Sequence, residues 1–141
     1  MSVLNANDVM LEVNTGTTLL PVWKMVACIT SNDLTGSNDD IVGDSKCGAL
    51  TLPGNIKFTG SFTGFYKTDP TATEISGGEL LNMYQNKTLS QWRERNADSS
   101  FYRQYKARLS NYKETYDYNT VVSFNAELNA EGAVSTLPVT S

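Results

Sequence analysis

The densest group of potential metal ligands is a set of aspartates in one polar segment, namely Asp33, Asp39, Asp40 and Asp44. Carboxylate oxygens are the ligands that hard cations such as Ca²⁺ prefer. The spacing departs from the EF-hand pattern, however, and no Glu stands where a bidentate ligand would close the site. The sequence therefore favours a solvated or partner-facing segment, and we expect no bound metal.

Other residue types that perform catalysis also fail to form a known pattern. The sequence contains no His, which excludes Ser/His/Asp and Cys/His triads and histidine zinc sites. The cysteines Cys28 and Cys47 lack the second pair of ligands that a metal site of this kind needs. We interpret them as free thiols, although their spacing alone leaves pairing open. No glycine-rich phosphate loop precedes a helix. We expect a protein that is not an enzyme and holds no cofactor.

A third arrangement interleaves basic and aromatic residues over residues 87 to 113. This segment holds seven basic residues against two acidic ones, in a chain whose formal net charge is -4. Five bases at its centre form what we call the basic hairpin: Arg93, Arg95, Arg103, Lys106 and Arg108. The rings interleaved with them are those of Trp92, Phe101, Tyr102, Tyr105 and Tyr112.

Three interpretations of the basic hairpin are open. Rings that stack beside phosphate-binding bases are typical of surfaces for single-stranded nucleic acid. The negative net charge favours instead a half-buried hairpin whose rings enter the core and whose bases face acidic neighbours. In the third interpretation, which we prefer, these bases meet the acidic segment of another copy and give self-assembly its orientation.

The elements that must position these residues are mainly strands. A chain of 141 residues is long enough for one domain and short for two, so we treat residues 1 to 141 as one domain. Apolar runs at residues 9 to 13 and 22 to 29 predict a first hairpin, and residues 55 to 66 alternate as a strand. A further hairpin around residues 96 to 100 and a strand at 121 to 128 follow.

Between the first hairpin and the alternating strand, Ser31 to Asn55 show no periodicity and are dense in Asn, Asp, Ser and Gly. Loops longer than ~12 to 15 residues are usually functional or disordered. We therefore predict a long extended loop here, which carries the four aspartates and Lys46.

One short helix interrupts the strands over residues 76 to 87. Leu80, Leu81 and Tyr84 stand at i, i+1 and i+4, with Glu79 near the start and Lys87 at the end, as the helix dipole prefers. We expect these three apolar side chains to pack the helix against a flank of the sheet. The sequence has no apolar run that approaches the ~18 residues of a membrane span.

In this order the features resemble the major tail tube protein family of long-tailed bacteriophages. The resemblance covers about residues 9 to 136 and is carried by the order of four segments, since each one alone is a weak signal. The segments are SNDDIVGDSKCGALTLPG, IKFTGSFTGFY, ELLNMYQNKT and VVSFNAELNAEGAVS.

The resemblance implies a β-sandwich with a flanking helix, six copies in a ring, and stacked rings whose lumen conducts double-stranded DNA without binding it specifically. It implies that the long loop contacts a neighbouring ring, through Asp33, Asp39, Asp40, Asp44 and Lys46. It also implies a tape measure protein and terminator or baseplate proteins as partners, synthesis in the host cytoplasm and a place in the virion tail, with no membrane contact. Whether the tail contracts is left open.

Another class of function stays open beside this one. The alternative is a small monomeric β-rich binding module for carbohydrate or single-stranded nucleic acid, which would use the rings and bases of the basic hairpin. A third possibility, a cofactor-free hydrolase, would need two carboxylates that converge in a cleft.

Overall fold

The computed structural model describes residues 3 to 45 and 48 to 136, with side chains for residues 3 to 37 and 56 to 136. After a short 3₁₀ helix at Ala6–Asp8, the chain forms eight strands and one α-helix. They are β1 (Met10–Asn14), β2 (Trp23–Val26), β3 (Ile29–Ser45), β4 (Gly48–Phe65), β5 (Glu74–Ile75), α1 (Gly77–Gln85), β6 (Ser90–Arg95), β7 (Tyr102–Thr115) and β8 (Ser123–Ser135). None of the described helices combines the length and apolarity needed to cross a membrane.

All eight strands belong to one hydrogen-bonded sheet in the order β3-β4-β8-β7-β6-β1-β2-β5, antiparallel except for β2 and β5. Strands β2 and β3 lie near opposite ends of this order, yet only Ala27 and Cys28 join them. The sheet must therefore curl over on itself. Two strands separate β4 from β6 in the ladder, but the rings of Phe62 and Trp92 are 5.9 Å apart. The result is a β-sandwich whose two layers are continuous.

The core between the two layers is formed by the side chains that point inward from each strand. On β4 and β8 the sequence pattern placed Phe62, Phe124, Ala126 and Leu128 on the apolar side, and all four are fully buried. Gly60 and Gly64 of β4 have no side chain, which allows neighbouring atoms to approach the strand closely. A Cβ on Gly64 would stand 2.7 Å from the carbonyl oxygen of Cys28. The other buried apolar residues of the core are Leu11, Val13, Val26, Ile75, Leu80, Trp92, Tyr105, Ala107 and Leu109.

Helix α1 occupies the predicted segment, but one of its predicted contacts is wrong. Leu80 is fully buried and Leu81 half-buried, whereas Tyr84 is 39% exposed. Met83 packs against the core instead. Leu80 and Met83 are three positions apart and so share one face of the helix, which leaves Tyr84 beside that face and not on it. At the N-terminus of the helix, Gly77 lies so close to Tyr66 that a Cβ would meet its ring at 2.5 Å.

The prediction of a loop at Ser31 to Asn55 is also wrong. The segment forms most of β3 and the first part of β4, paired in antiparallel register from Ser31 opposite Thr63 to Ser45 opposite Gly48, with a bulge after Asn38. Apolar alternation reports a strand only where one face is buried. The polar sequence of this segment carries no such alternation, so the sequence gives no sign of its regular structure.

Candidate functional site

The first candidate surface is a ribbon that extends beyond the sheet. Strand β4 pairs with β8 only from Thr59 to Phe65. Beyond this point β3 and β4 pair with each other alone within the described residues. We call residues 36–45 and 48–58 the projecting ribbon. At ~3.4 Å per residue it reaches about 30 Å from the sheet.

The projecting ribbon gains little stability by itself, because an isolated two-stranded hairpin is only marginally stable in water. Its long strand β3 is also the edge of the whole sheet. An edge strand presents unpaired backbone N–H and C=O groups, which are a template for another chain. The ribbon therefore has the properties of a segment that is completed by a partner.

The residues predicted for the inter-ring contact are distributed along this hairpin. Asp33 lies on its base, exposed, where its carboxylate accepts a hydrogen bond from the hydroxyl of Ser61 at 3.3 Å. Asp40 and Asp44 lie farther out, opposite Pro53 and Ala49, on the same strand as Asp39. Lys46 and Cys47 fall outside the described residues. Cys28 has no disulfide partner within the described part.

This distribution bears on metal binding. The four aspartates occupy positions that are spread along one strand, from residue 33 to residue 44. Among the described residues, no group of three acidic, Cys or His side chains converges as a metal site would require.

Part of the basic hairpin is neutralised inside the chain. Arg93 Nε donates to Glu12 Oε1 at 2.9 Å, and Arg95 Nε donates to the same oxygen. The Arg93 guanidinium also lies over the ring of Trp23, 4.0 Å from its centroid. Glu12 itself is buried on the outer side of β1. These two arginines thus follow the second interpretation, in which bases face acidic neighbours of the same molecule.

The other bases of the hairpin differ in their surroundings. Arg103 donates to the carbonyl of Tyr102 at 2.7 Å and lies over the ring of Phe101. Arg108 forms an exposed ion pair with Glu131 at 2.7 Å. Lys106 is exposed, and its ammonium group has no partner among the described residues. Lys106 is the base that remains open to another copy.

The rings of the hairpin do not form a stacking platform. Trp92, Tyr102 and Tyr105 are buried, and Phe101 and Tyr112 are half-buried. A surface for single-stranded nucleic acid needs exposed ring faces on which bases stack. The arrangement therefore offers no such surface here, which removes the main support for the binding-module alternative.

A buried carboxyl lies on the inner side of β6. Glu94 is almost fully buried and accepts a hydrogen bond from the hydroxyl of Tyr105 at 2.8 Å. Burial disfavours its charged form and raises the pKa of Glu94 above its ordinary value, an effect that Tyr105 and the nearby charge of Arg103 oppose. Glu94 also lines a cleft of about 500 Å³ between β1, β2 and the start of β3.

We expect Glu94→Gln to raise the free energy of unfolding at pH 7, because an amide of nearly the same shape avoids the cost of burying a charge. A carboxyl with a raised folded pKa binds its proton more tightly in the folded state, so the wild type is penalised at neutral pH and recovers as the pH falls through that pKa. The difference between variant and wild type should therefore vanish below the ordinary value near 4.5.

Urea titrations at several pH values test this prediction. The exposed acid Glu127, on the outer side of β8, supplies the matched control Glu127→Gln, which should change stability by less than about 0.5 kcal/mol. A Glu94→Gln variant that is less stable than the wild type at pH 7 would contradict the account.

Two further surfaces were not singled out in the sequence. The β1–β2 loop exposes Leu19, Leu20 and Val22, and the β7–β8 turn exposes Tyr116, Tyr118 and Val121. We call the first, together with the exposed Leu89, the leucine surface and the second the tyrosine turn. The sequence did contain a signal for these surfaces: large apolar residues stand among Gly, Pro, Thr, Asp and Asn, which are typical of solvated loops. Exposed apolar residues grouped in this way indicate an interaction surface.

Comparison with solved structures identifies the fold. The SPP1 tail tube aligns with a TM-score of 0.76 over 97% of this chain and 81% of that chain, at 12% identity. The tail of an empty gene transfer agent particle, refined with C6 symmetry, aligns with a TM-score of 0.73 over 96% and 100%, at 12% identity. A sheath/tube terminator of an extracellular contractile injection system aligns with a TM-score of 0.66 over 96% of each chain, at 13% identity.

Neither a protein-family model nor a curated protein sequence matches this chain. The mainly β fold with one helix is nevertheless that of tail tube proteins, which confirms the fold that the sequence segments predict. At this level of identity the likeness concerns the fold.

Proposed function

We propose that this chain is the structural subunit of a virion tail tube, in which six copies form a ring and stacked rings enclose a channel that conducts double-stranded DNA. The observation that carries the proposal is the projecting ribbon on a tail tube fold: its two strands extend for about 30 Å and, among the described residues, pair only with each other. The sixfold number is taken from the C6 symmetry of the gene transfer agent tail.

The ribbon makes the stacking of rings depend on whether a ring is already present. A two-stranded hairpin gains stability when a neighbour covers it, and ordering it beforehand costs about 1 to 2 kcal/mol per fixed residue. Contact with the next ring offsets this cost only where a ring already exists. Asp33, Asp39, Asp40, Asp44 and Lys46 would contribute the charges of this inter-ring contact.

Ring closure would also remove the edge of the sheet. Strand β3 is an edge of 17 residues, whereas the other edge, β5, has only two. A heterologous contact repeated around a closed rotation leaves no edge of this kind exposed.

The charge distribution suits passage of DNA. Phosphate contacts by Lys and Arg change DNA affinity by ~10³ to 10⁵ for six to ten contacts between low and moderate salt. Such a lining at every ring would retain the genome. Glu12 already offsets one of the two charges of Arg93 and Arg95, and the chain as a whole has a formal net charge of -4. A lumen of net acidic or mixed charge therefore fits the chain, with DNA as a passing and not a bound partner.

Further partners follow from the same proposal. The solved structures with this fold include a tube terminator, a tube-terminating cap and a baseplate. We therefore propose terminator or baseplate proteins at the ends of the tube and a tape measure protein inside it. The subunit would be made in the host cytoplasm, act in the virion tail and catalyse no reaction.

We expect concentrated wild-type protein to form rings and tubes in negative-stain electron micrographs. Replacing residues 38–56 by Asn-Gly should abolish tubes, because it removes most of the projecting ribbon while a two-residue turn still joins the paired residues Ser37 and Lys57. The shortened protein should keep the circular dichroism spectrum of a folded β protein.

The matched control is a triple variant, Asp39→Asn, Asp40→Asn and Asp44→Asn, which keeps the ribbon and removes its charge. It should still form tubes, with altered salt dependence. Tubes formed by the shortened protein, or a wild type that stays monomeric at every concentration, would contradict the proposed function.

A further inference from the structure

We propose that the tyrosine turn of one copy docks on the leucine surface of the next, with Asp117 opposite Lys106. This inference rests on the proposed function, since its partner is a second copy of this chain. It deepens that function by naming the two surfaces that meet.

The leucine surface stands on a rigid loop. The Asn14 side chain accepts hydrogen bonds from the backbone N–H groups of Gly16 and Val22, both at 2.9 Å, and donates to the carbonyl of Thr17 and to Gln91. A Cβ on Gly16 would stand 2.4 Å from the carbonyl oxygen of Leu20. A loop held this firmly nevertheless leaves Leu19 82% and Leu20 77% exposed.

A cleft of about 510 Å³ opens beside this surface, between the loop, the end of α1 and the adjacent strands. Its walls include Thr17, Thr18, Met83 and Leu89, and Lys106 stands at its margin. The volume falls within the ~300 to 1,000 Å³ of sites that enclose small groups. The methyl and methylene groups and the hydroxyls of these walls can contact a phenol ring. The free ammonium group of Lys106 can pair with a carboxylate beside that ring.

The tyrosine turn presents such groups in a fixed conformation. Thr120 donates to the carbonyl of Asp117 from its backbone N–H at 3.2 Å and from its hydroxyl at 2.9 Å. Asn119 adopts a positive φ of 61°, which closes a tight turn and places Tyr118 at 92% exposure. The hydroxyl of Tyr116 donates to Glu114 at 2.6 Å. The backbone of the turn is therefore ordered before docking, and the entropy lost on docking is mainly that of its exposed side chains.

The two surfaces cannot satisfy each other within one chain. The tyrosine turn follows the end of β7 at Thr115, whereas Lys106 lies near its start. Ten residues of extended strand span up to about 33 Å. Two complementary surfaces at distant points of one subunit make a head-to-tail contact, and such a contact generates rings or filaments rather than twofold dimers.

The charges on the two surfaces indicate that a second copy of this chain binds at the leucine surface. Neither the Asp117 carboxylate nor the Lys106 ammonium has a partner among the described side chains. An acid in the turn and a base at the cleft give both the attraction and the orientation that head-to-tail docking needs.

Charge exchange tests the contact. We expect Lys106→Glu and Asp117→Lys, each alone, to weaken self-association at least tenfold in sedimentation velocity, because each opposes like charges. The double variant should associate within about threefold of the wild type. An equimolar mixture of the two single variants should also recover, since their copies can alternate around the contact.

Recovery in the mixture depends on contact between copies, so an effect on folding cannot produce it. Thermal unfolding of each variant, expected to match the wild type, provides the control. Single variants that assemble like the wild type, or a double variant and mixture that stay as weak as the single ones, would overturn the docking while leaving the tube intact. A wild type that never assembles would overturn the proposed function as well.

Discussion

Trp92→Ala is expected to lower the free energy of unfolding by about 3 to 5 kcal/mol. Because domains are stable by only about 5 to 15 kcal/mol, much of the variant would be unfolded at 37 °C. The ring of Trp92 is completely buried and packs against Phe62 of the opposite layer at 5.9 Å. Its removal leaves a cavity where the two layers of the sandwich meet.

The other tryptophan provides the matched control. Trp23 is half-buried on the outer side of β2, where Arg93 lies over its ring at 4.0 Å. Trp23→Ala should cost only about 1 kcal/mol, the value of a partly exposed cation–π contact. Urea denaturation followed by far-ultraviolet circular dichroism measures both variants. Equal losses for the two would show that Trp92 does not join the layers as described.

Glu12→Ala is expected to lower the free energy of unfolding by about 3 kcal/mol, because removing one partner of a buried ionic group leaves the other charges uncompensated. Glu12 is 8% exposed and accepts from both Arg93 and Arg95. Without its carboxylate, two neighbouring guanidinium groups would repel each other against the sheet. Arg93→Ala should cost less, since the pair of Glu12 with Arg95 survives.

Glu131 offers a control of the same charge. Its ion pair with Arg108 has a similar length, 2.7 Å, but both side chains are about half exposed. Exposed pairs contribute about 0 to 1 kcal/mol, so Glu131→Ala should barely shift the urea midpoint at pH 7. A Glu12→Ala variant as stable as Glu131→Ala would refute the role assigned to the buried cluster.

The parts of the fold that could be predicted are those where burial leaves a pattern. Phe62 and Phe124 alternate with polar neighbours because one face of each strand meets the core, and Leu80 marks the buried side of α1. Most of the residues from Ser31 to Asn55 belong to the projecting ribbon, whose strands pair only with each other among the described residues, and their polar sequence gave no period to detect. Hydrophobic periodicity cannot detect a regular strand that has no buried face.

The candidate site was harder to predict because its contacts join distant parts of the chain. The bases of the basic hairpin are evident in the sequence, but the acid that holds two of them, Glu12, lies 81 positions from Arg93. Only the strand order brings β1 beside β6. For the same reason the sequence could not distinguish the bound Arg93 from the open Lys106.

The strand order also has a consequence for synthesis on the ribosome. Strands β3 and β4 follow one another in the chain and pair with each other, whereas β1 must wait for β6 to be translated. Local pairings form quickly and long-range ones slowly, so contacts between β3 and β4 can begin while the apolar faces of the early strands are still uncovered. Exposed apolar surface of this kind makes partly folded chains prone to aggregate, and the late arrival of β6 sets how long that exposure lasts.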